Sequence, residues 1–442
     1  MSVAMNAGSP IWKGGLAHTD VKSGEDFTVG RDATYDLMLY RYEVLSLIAY
    51  HLALKDTGLI GDGLSDRTVK ALRQVYGEEP RSLGGAEDVH TLVENMVSSI
   101  DAECGAVLRT LLSRNEQVHT DLRLFFVDHL LSASLVAADA CIRVMGTRGE
   151  DGDMPGYTHY RQAMPVKFST YMDYVSRTLL SISERSLALA DMLSECPLGY
   201  GSGFGSLSPV DRGSLAGMLC MRPGSENPLH MASLRGLDEI QVLDLVKDAF
   251  ISMSRIAQDL IMWSSEEIGI LRLPDDFVTG SSLMPNKRNP DFLEMVQGYA
   301  SMVTSMAFGA SADLLSKSTG YHRDFQVPKW HAMEALLLLE RAIPLFGDLI
   351  SRVQFDPQRA RELVLNSTHA TSYASSLVLG GMPWKEAYRS VGSMLAGGKR
   401  IPESPAPAFR PLDGHEVSSH RDMVSKKIEE RKRRLSGLLG NV

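Results

Sequence analysis

Aromatic residues make up only 7% of the 442-residue chain, and it has just four cysteines. Cys104, Cys141, Cys196 and Cys220 are widely scattered, without a Cys-x-x-Cys pair or a Cys/His group at metal-ligand spacing, which suits a reducing compartment and gives no metal site. Basic residues are in the minority, 45 against 54 acidic ones for a net charge of -9, which argues against a general nucleic-acid binder and leaves room only for a local basic pocket. No apolar run approaches the roughly 20 residues of a membrane span. Residues 1–15 carry no basic stretch followed by an apolar one. A cytoplasmic protein with neither a membrane nor a nucleic-acid partner is expected. Strand signals are also scarce, with no alternating Val/Ile/Thr segments joined by tight hairpin dipeptides. Gly199, Gly201, Gly203 and Gly205 alternate instead of following GxGxxG spacing and follow no strand. They read as a flexible or tightly turned loop, and no dinucleotide site is expected.

What the chain does have is helical periodicity. From Leu237 to Trp263, apolar residues recur three or four apart (Val242, Val246, Phe250, Met253, Ile256, Leu260), which predicts one helix of about seven turns. A second stripe runs from Phe292 to Leu314 with Met295, Val296, Tyr299, Met302, Val303 and Met306, among small residues that permit close approach. A third spans His331 to Val353, broken by Pro344. Long helices seamed with Met and small residues suit an all-α bundle whose faces are shared between chains. Residues 151–165 and 273–290 interrupt this texture with Gly, Pro and polar residues, and such loops between rigid helices are where catalytic groups tend to sit. After Gly398, four prolines precede the basic run 426–434, which reads as a solvated helix face.

The segment from Gly280 to Pro290, GSSLMPNKRNP, joins a mobile glycine, adjacent hydroxyls, a cation and a carboxamide. A carbanion beside a carboxylate forms only if the developing dianion meets preorganised donors, here loop amides, Lys287 and Asn289. A serine removes such a proton only if its alkoxide is stabilised as well. Taken alone, the segment could equally be a capped turn before a helix.

The same string resembles the signature loop of the fumarase/aspartase superfamily, with every fixed position present. Other segments resemble its argininosuccinate lyase branch: Trp12 to Gly15, Glu87 to Thr91 with Glu94, Ser113 to Leu124, the MPGYTH of Met154 to His159, Tyr321 with Asp324, Gln326 and Lys329, and Pro383 to Tyr388. The resemblance covers residues 12 to 392 and implies three domains, placed at 1–112, 113–362 and 363–442, with a central bundle forming a homotetramer whose sites are shared between chains. It implies a reversible anti elimination from an N-substituted aspartate, giving fumarate and an amine or guanidine without cofactor or metal. Ser281 matches the catalytic serine and Ser282 is its neighbouring competitor. Lys287 and Asn289 would stabilise the dianion. His159 matches the acid/base histidine, Glu294 is its candidate partner, and which of Ser281 and His159 takes the proton stays open. Thr158 and Asn115, with Arg114 beside them, match positions that bind the succinyl carboxylates. Tyr321, Gln326 and Lys329 match positions for the other end of the substrate, and His90 would support it.

Departures from the pattern cluster around the substrate. Leu47 falls where the branch has a substrate-contacting serine, and Leu111-Leu112 replaces a polar pair. Gln162 is displaced within Tyr160 to Pro165, and both aspartates around Arg235 are missing. Lost polar matching costs specificity. A different aspartate adduct, or a catalytically silent crystallin-like role, is therefore the alternative expectation.

Overall fold

The predicted helices form with nearly the expected limits. The computed structural model describes residues 30–147, 149–403 and 409–440, so the Trp12 to Gly15 motif lies outside the described residues. In chain order the helices are α1 (Asp32–Lys55), α2 (Asp62–Tyr76), α3 (Val89–Ile100), α4 (Ala102–Val107), α5 (Arg114–Met145), α6 (Phe168–Leu193), α7 (Arg212–Met218), α8 (Pro228–Ser233), α9 (Leu237–Trp263), α10 (Asp291–Leu314), α11 (Gln326–Ser351), α12 (Pro357–Leu363), α13 (Ala370–Leu379), α14 (Trp384–Ala396) and α15 (Gly414–Leu438). In the bundle, α5 lies along α6 and α11, while α9 lies along α10 and α11. Val242, Val246, Phe250, Met253, Ile256 and Leu260 all face its core. Burying each contributes about 1.5–3 kcal/mol relative to exposure. Pro344 does not break α11, which runs through it. Proline forfeits one backbone bond, and burial of Ile343, Phe346, Leu349 and Ile350 on either side offsets that loss.

α5 is long and apolar enough to cross a membrane by length and composition, but most of its apolar stretch is buried inside the protein. It also carries charge into the interior. Arg123 donates to Asp238 through Nε at 2.6 Å and Nη2 at 3.1 Å, and His119 Nε2 lies 2.8 Å from the same carboxylate. Burial would raise the Asp238 carboxyl, but the Arg123 charge and the His119 contact outweigh it and hold it below the usual range. Burial pushes His119 down, toward the neutral imidazole.

Residues 151–165 are a correction to the loop expectation. They form most of a hairpin, β1 (Asp153–Thr158) paired antiparallel with β2 (Arg161–Lys167). Two features hid it. Pro155 faces Pro165 across the ladder, and the two turn residues, His159 (φ 51°) and Tyr160 (φ 56°), occupy left-handed backbone usually given to Asn-Gly.

The C-terminal region divides. Ala374, Ala387, Val391 and Ile401 form a small core of their own. α15 instead returns to the main core through Val417, Leu435 and Leu438. Its basic run is not simply a solvated face: Lys427 pairs with Asp191, Arg431 with Asp128, and Arg434 donates to the Gly217 carbonyl. Cations near the body find carboxylates and carbonyls, so the run clamps the helix down.

Candidate active site

The start of α5 builds one wall. Ser113 caps the helix and Glu116 closes a capping box, accepting the Ser113 N–H at 2.7 Å. The other Glu116 oxygen accepts the N–H groups of Gly199 (2.7 Å) and Gly201 (2.8 Å), which pins the glycine loop over the helix end. This is the tightly turned alternative. Gly201 has φ 72°, and a Cβ there would lie 2.6 Å from the Gly205 carbonyl oxygen. The resulting narrow cleft is lined by Asn115, Ser202, Gly203, Arg235 and Tyr321. Arg235 is 4% exposed; its Nε donates to Glu239 at 2.5 Å, while its buried Nη1 has no hydrogen-bond partner among the described residues. Burial works against the guanidinium charge, and Glu239 more than restores it. A buried cation with a spare donor beside a carboxamide and a phenol is equipped to bind a carboxylate.

Behind this wall, three of the expected substrate residues are already engaged. Arg114 donates to Asp88 (2.7 Å) and Thr91 (2.8 Å). Burial would raise Asp88, but His90 and Arg114 outweigh it and keep it below the usual range. Lys329 is 2% exposed, with its ammonium 2.6 Å from Asp32 and 2.8 Å from Asp36. Burial would lower Lys329; the two carboxylates hold it above its ordinary value. His90 is buried beside Glu43. Lys329 and His90 therefore sit within the wall and not on its surface. Leu47, read as a lost substrate contact, is a core residue at 1% exposure. Gln326 and Tyr321 remain partly open at the head of α11, with the Tyr321 ring edge-on to Phe325.

The signature loop is held at its base and free at its tip. Thr279 and Asn289 exchange backbone hydrogen bonds of 3.0 and 2.8 Å, and Arg288 is anchored on Asp275 and the Leu273 carbonyl. Ser281 Oγ accepts two backbone N–H groups, from Leu283 at 3.2 Å and Met284 at 3.1 Å. Two donors aimed at a hydroxyl oxygen stabilise its alkoxide. Ser282 and Lys287 are exposed, and no carboxylate pairs with Lys287 among the described residues. Lys287, Asn289 and Glu294 line a common cleft of ≈ 570 Å³. The third patch is the hairpin tip, where Thr158 and His159 are exposed. The tip is anchored through Gln162, which donates to the Leu363 carbonyl (2.8 Å) and accepts the Leu365 N–H (3.0 Å).

Among the described residues, no hydrogen bond or ion pair within the chain joins the Asn115–Tyr321 cleft, the Ser281 loop and the His159 tip. Sequence reasoning missed Arg235, which was weighed only for the aspartates absent around it. It also missed Glu116 and the Asp32–Asp36 pair, whose sole signal was an acidic i,i+4 repeat at a helix start.

Solved structures share this architecture. EDDS lyase in complex with formate superposes with a TM-score of 0.71 at 18% identity, covering 95% of this chain and 92% of that one. Class II fumarase from Schistosoma mansoni gives 0.69 at 14%, covering 93% and 94%. At such identity the likeness establishes the fold alone. The sequence goes further. The family profile described as Lyase matches residues 30–305. The argininosuccinate lyase of Thermotoga neapolitana is 30% identical over 394 residues, 86% of this chain and 97% of that one. That of Sorangium cellulosum is 30% identical over 84% of this chain and 87% of its own. The chain belongs to this lyase family, in the argininosuccinate lyase branch of the superfamily, and is a carbon-nitrogen lyase.

Proposed function

We propose that the protein cleaves argininosuccinate to arginine and fumarate, in the cytoplasm, as a homotetramer with sites shared between chains. The observation that carries the chemistry is the pair of N–H donors on Ser281 Oγ. Ser281 as alkoxide takes the Cβ proton of the succinyl moiety, and the carbanion's charge spreads into the adjacent carboxylate as a dianion. Lys287, with no carboxylate paired to it among the described residues, and Asn289 stabilise that charge. Collapse forms the Cα–Cβ double bond of fumarate and breaks the Cα–N bond. His159, supported by Glu294, supplies the proton that leaves with the guanidine. Asn115, Thr158, Ser282, Tyr321 and Gln326 hold the substrate, with Arg235 opposite a carboxylate. Arg114, His90 and Lys329 stiffen the wall from behind.

Sharing of sites is supported by the lack, among the described residues, of any hydrogen bond or ion pair joining the three patches within one chain. It is further supported by apolar side chains left open on the long helices, among them Ile251, Met295 and Phe308, the last 76% exposed. Solvent-facing apolar groups of this size mark association surfaces. The test follows fumarate absorbance with argininosuccinate as substrate. Turnover by the native protein, lost in Ser281→Ala, is expected. No fumarate from argininosuccinate, under conditions where another aspartate adduct is cleaved, contradicts the substrate assignment.

A further inference from the structure

Glu43 of α1, His90 of α3 and Asp121 of α5 meet inside the protein, away from the exposed loop and the hairpin tip. Each is at least nine-tenths buried. Among the described residues, none gives Glu43 Oε2, His90 Nδ1 or Asp121 Oδ2 a partner with full hydrogen-bond geometry. The three side chains nevertheless offer ligand atoms within 4.8 Å of one another. His90 Nδ1 lies 3.0 Å from Glu43 Oε2, within ion-pair distance, and 4.0 Å from Asp121 Oδ2. Two carboxylate oxygens from two helices converging on a single imidazole nitrogen from a third is a costly arrangement for a dry interior.

We propose that Glu43, His90 and Asp121 form a binding site for a divalent cation that ties α1, α3 and α5 together. Two carboxylates and one imidazole are a donor set for Mn²⁺ or Zn²⁺. The remaining oxygens are already oriented as metal ligands require: Gln117 donates to Glu43 Oε1 at 2.8 Å and Ser46 to Asp121 Oδ1 at 3.0 Å. The Gln117 amide oxygen is likewise buried without a hydrogen-bond partner among the described residues.

The site does not depend on the reaction assigned above, and its test reads binding, not turnover. Tag-free full-length protein is analysed for metal by mass spectrometry as purified, then unfolded with chelator and refolded with Mn²⁺, Zn²⁺ or neither. About one ion per chain in the native protein is expected, with a melting temperature that rises when the metal is present at refolding. The Glu43→Gln/Asp121→Asn double variant is expected to lose that ion and the metal-dependent rise. Refolding with Co²⁺ gives a second readout that needs no variant, namely visible absorption bands of a nitrogen- and oxygen-ligated ion. Native protein without bound metal and without Co²⁺ bands overturns the proposal and leaves a shared proton as what holds the cluster. Equal metal retention in the folded double variant overturns it as well.

Discussion

Lys287 and Lys329 show two fates for one residue type. Both fall in strings that match the family, and both were expected to meet substrate. Lys329 lies inside the wall, with two carboxylates on its ammonium. Lys287 stands on an exposed loop, with no carboxylate partner among the described residues. The same contrast separates His119, locked on Asp238 in the bundle, from His159 at the hairpin tip. Saturated charges hold helices together, whereas unsatisfied ones at the surface are free to act on a ligand. A site built this way needs a rigid, internally neutralised frame and a few exposed groups, which the proposed shared-site assembly would complete from other subunits.

The contrast is broken most severely at Ser281. Ser281→Ala is expected to lower kcat by ~10²–10⁴, the usual share of a general base, while the melting temperature stays where it was because the residue lies on an open loop. A matching loss of stability would place Ser281 in the frame instead. Next comes Asp238→Ala, which strands Arg123 without its carboxylate in the core. Chemical denaturation should show ~3–5 kcal/mol of lost stability, the cost of leaving one member of a buried pair.

Lys329→Met sharpens the comparison. With Asp32 and Asp36 left unpaired, stability should fall by ~3 kcal/mol, while KM of the remaining folded enzyme changes only modestly. A large rise in KM with unchanged stability would return Lys329 to the substrate. The smallest effect concerns pH. His119 is pushed below its ordinary 6.5 and Asp238 below 3.8, so in both cases the unfolded chain binds more protons. Their stabilisation is complete above about pH 6.5 and declines on acidification, first as His119 must stay neutral and then as Asp238 is protonated. His119→Gln should flatten the upper part of that acid limb in melting curves taken across pH, and an unchanged slope would contradict the assignment.

Much of this was legible in the sequence. The stripe from Leu237 to Trp263 gave a helix with those same limits, because a 3.6-residue repeat of large apolar side chains has few other uses. The GSS-to-NP string located the loop. Burial was not legible. His90 and Lys329 carried the right identity at the right spacing and Leu47 was read as a lost contact, but only packing shows that all three face inward. The hairpin escaped because paired prolines and a turn without Gly or Asn erase the usual strand signals. Arg235 escaped because its importance comes from an unpaired Nη1, which no spacing reveals.

The central claim is that exposed groups of different chains are brought together over a frame that each chain completes alone. It is tested most directly by mixing two inactive variants. Ser281→Ala and His159→Asn are purified separately, dissociated and reassociated together, and fumarate release from argininosuccinate is measured. The account expects activity to reappear in the mixture, since some sites then draw Ser281 from one chain and His159 from another. A mixed oligomer that forms and stays inactive would contradict it.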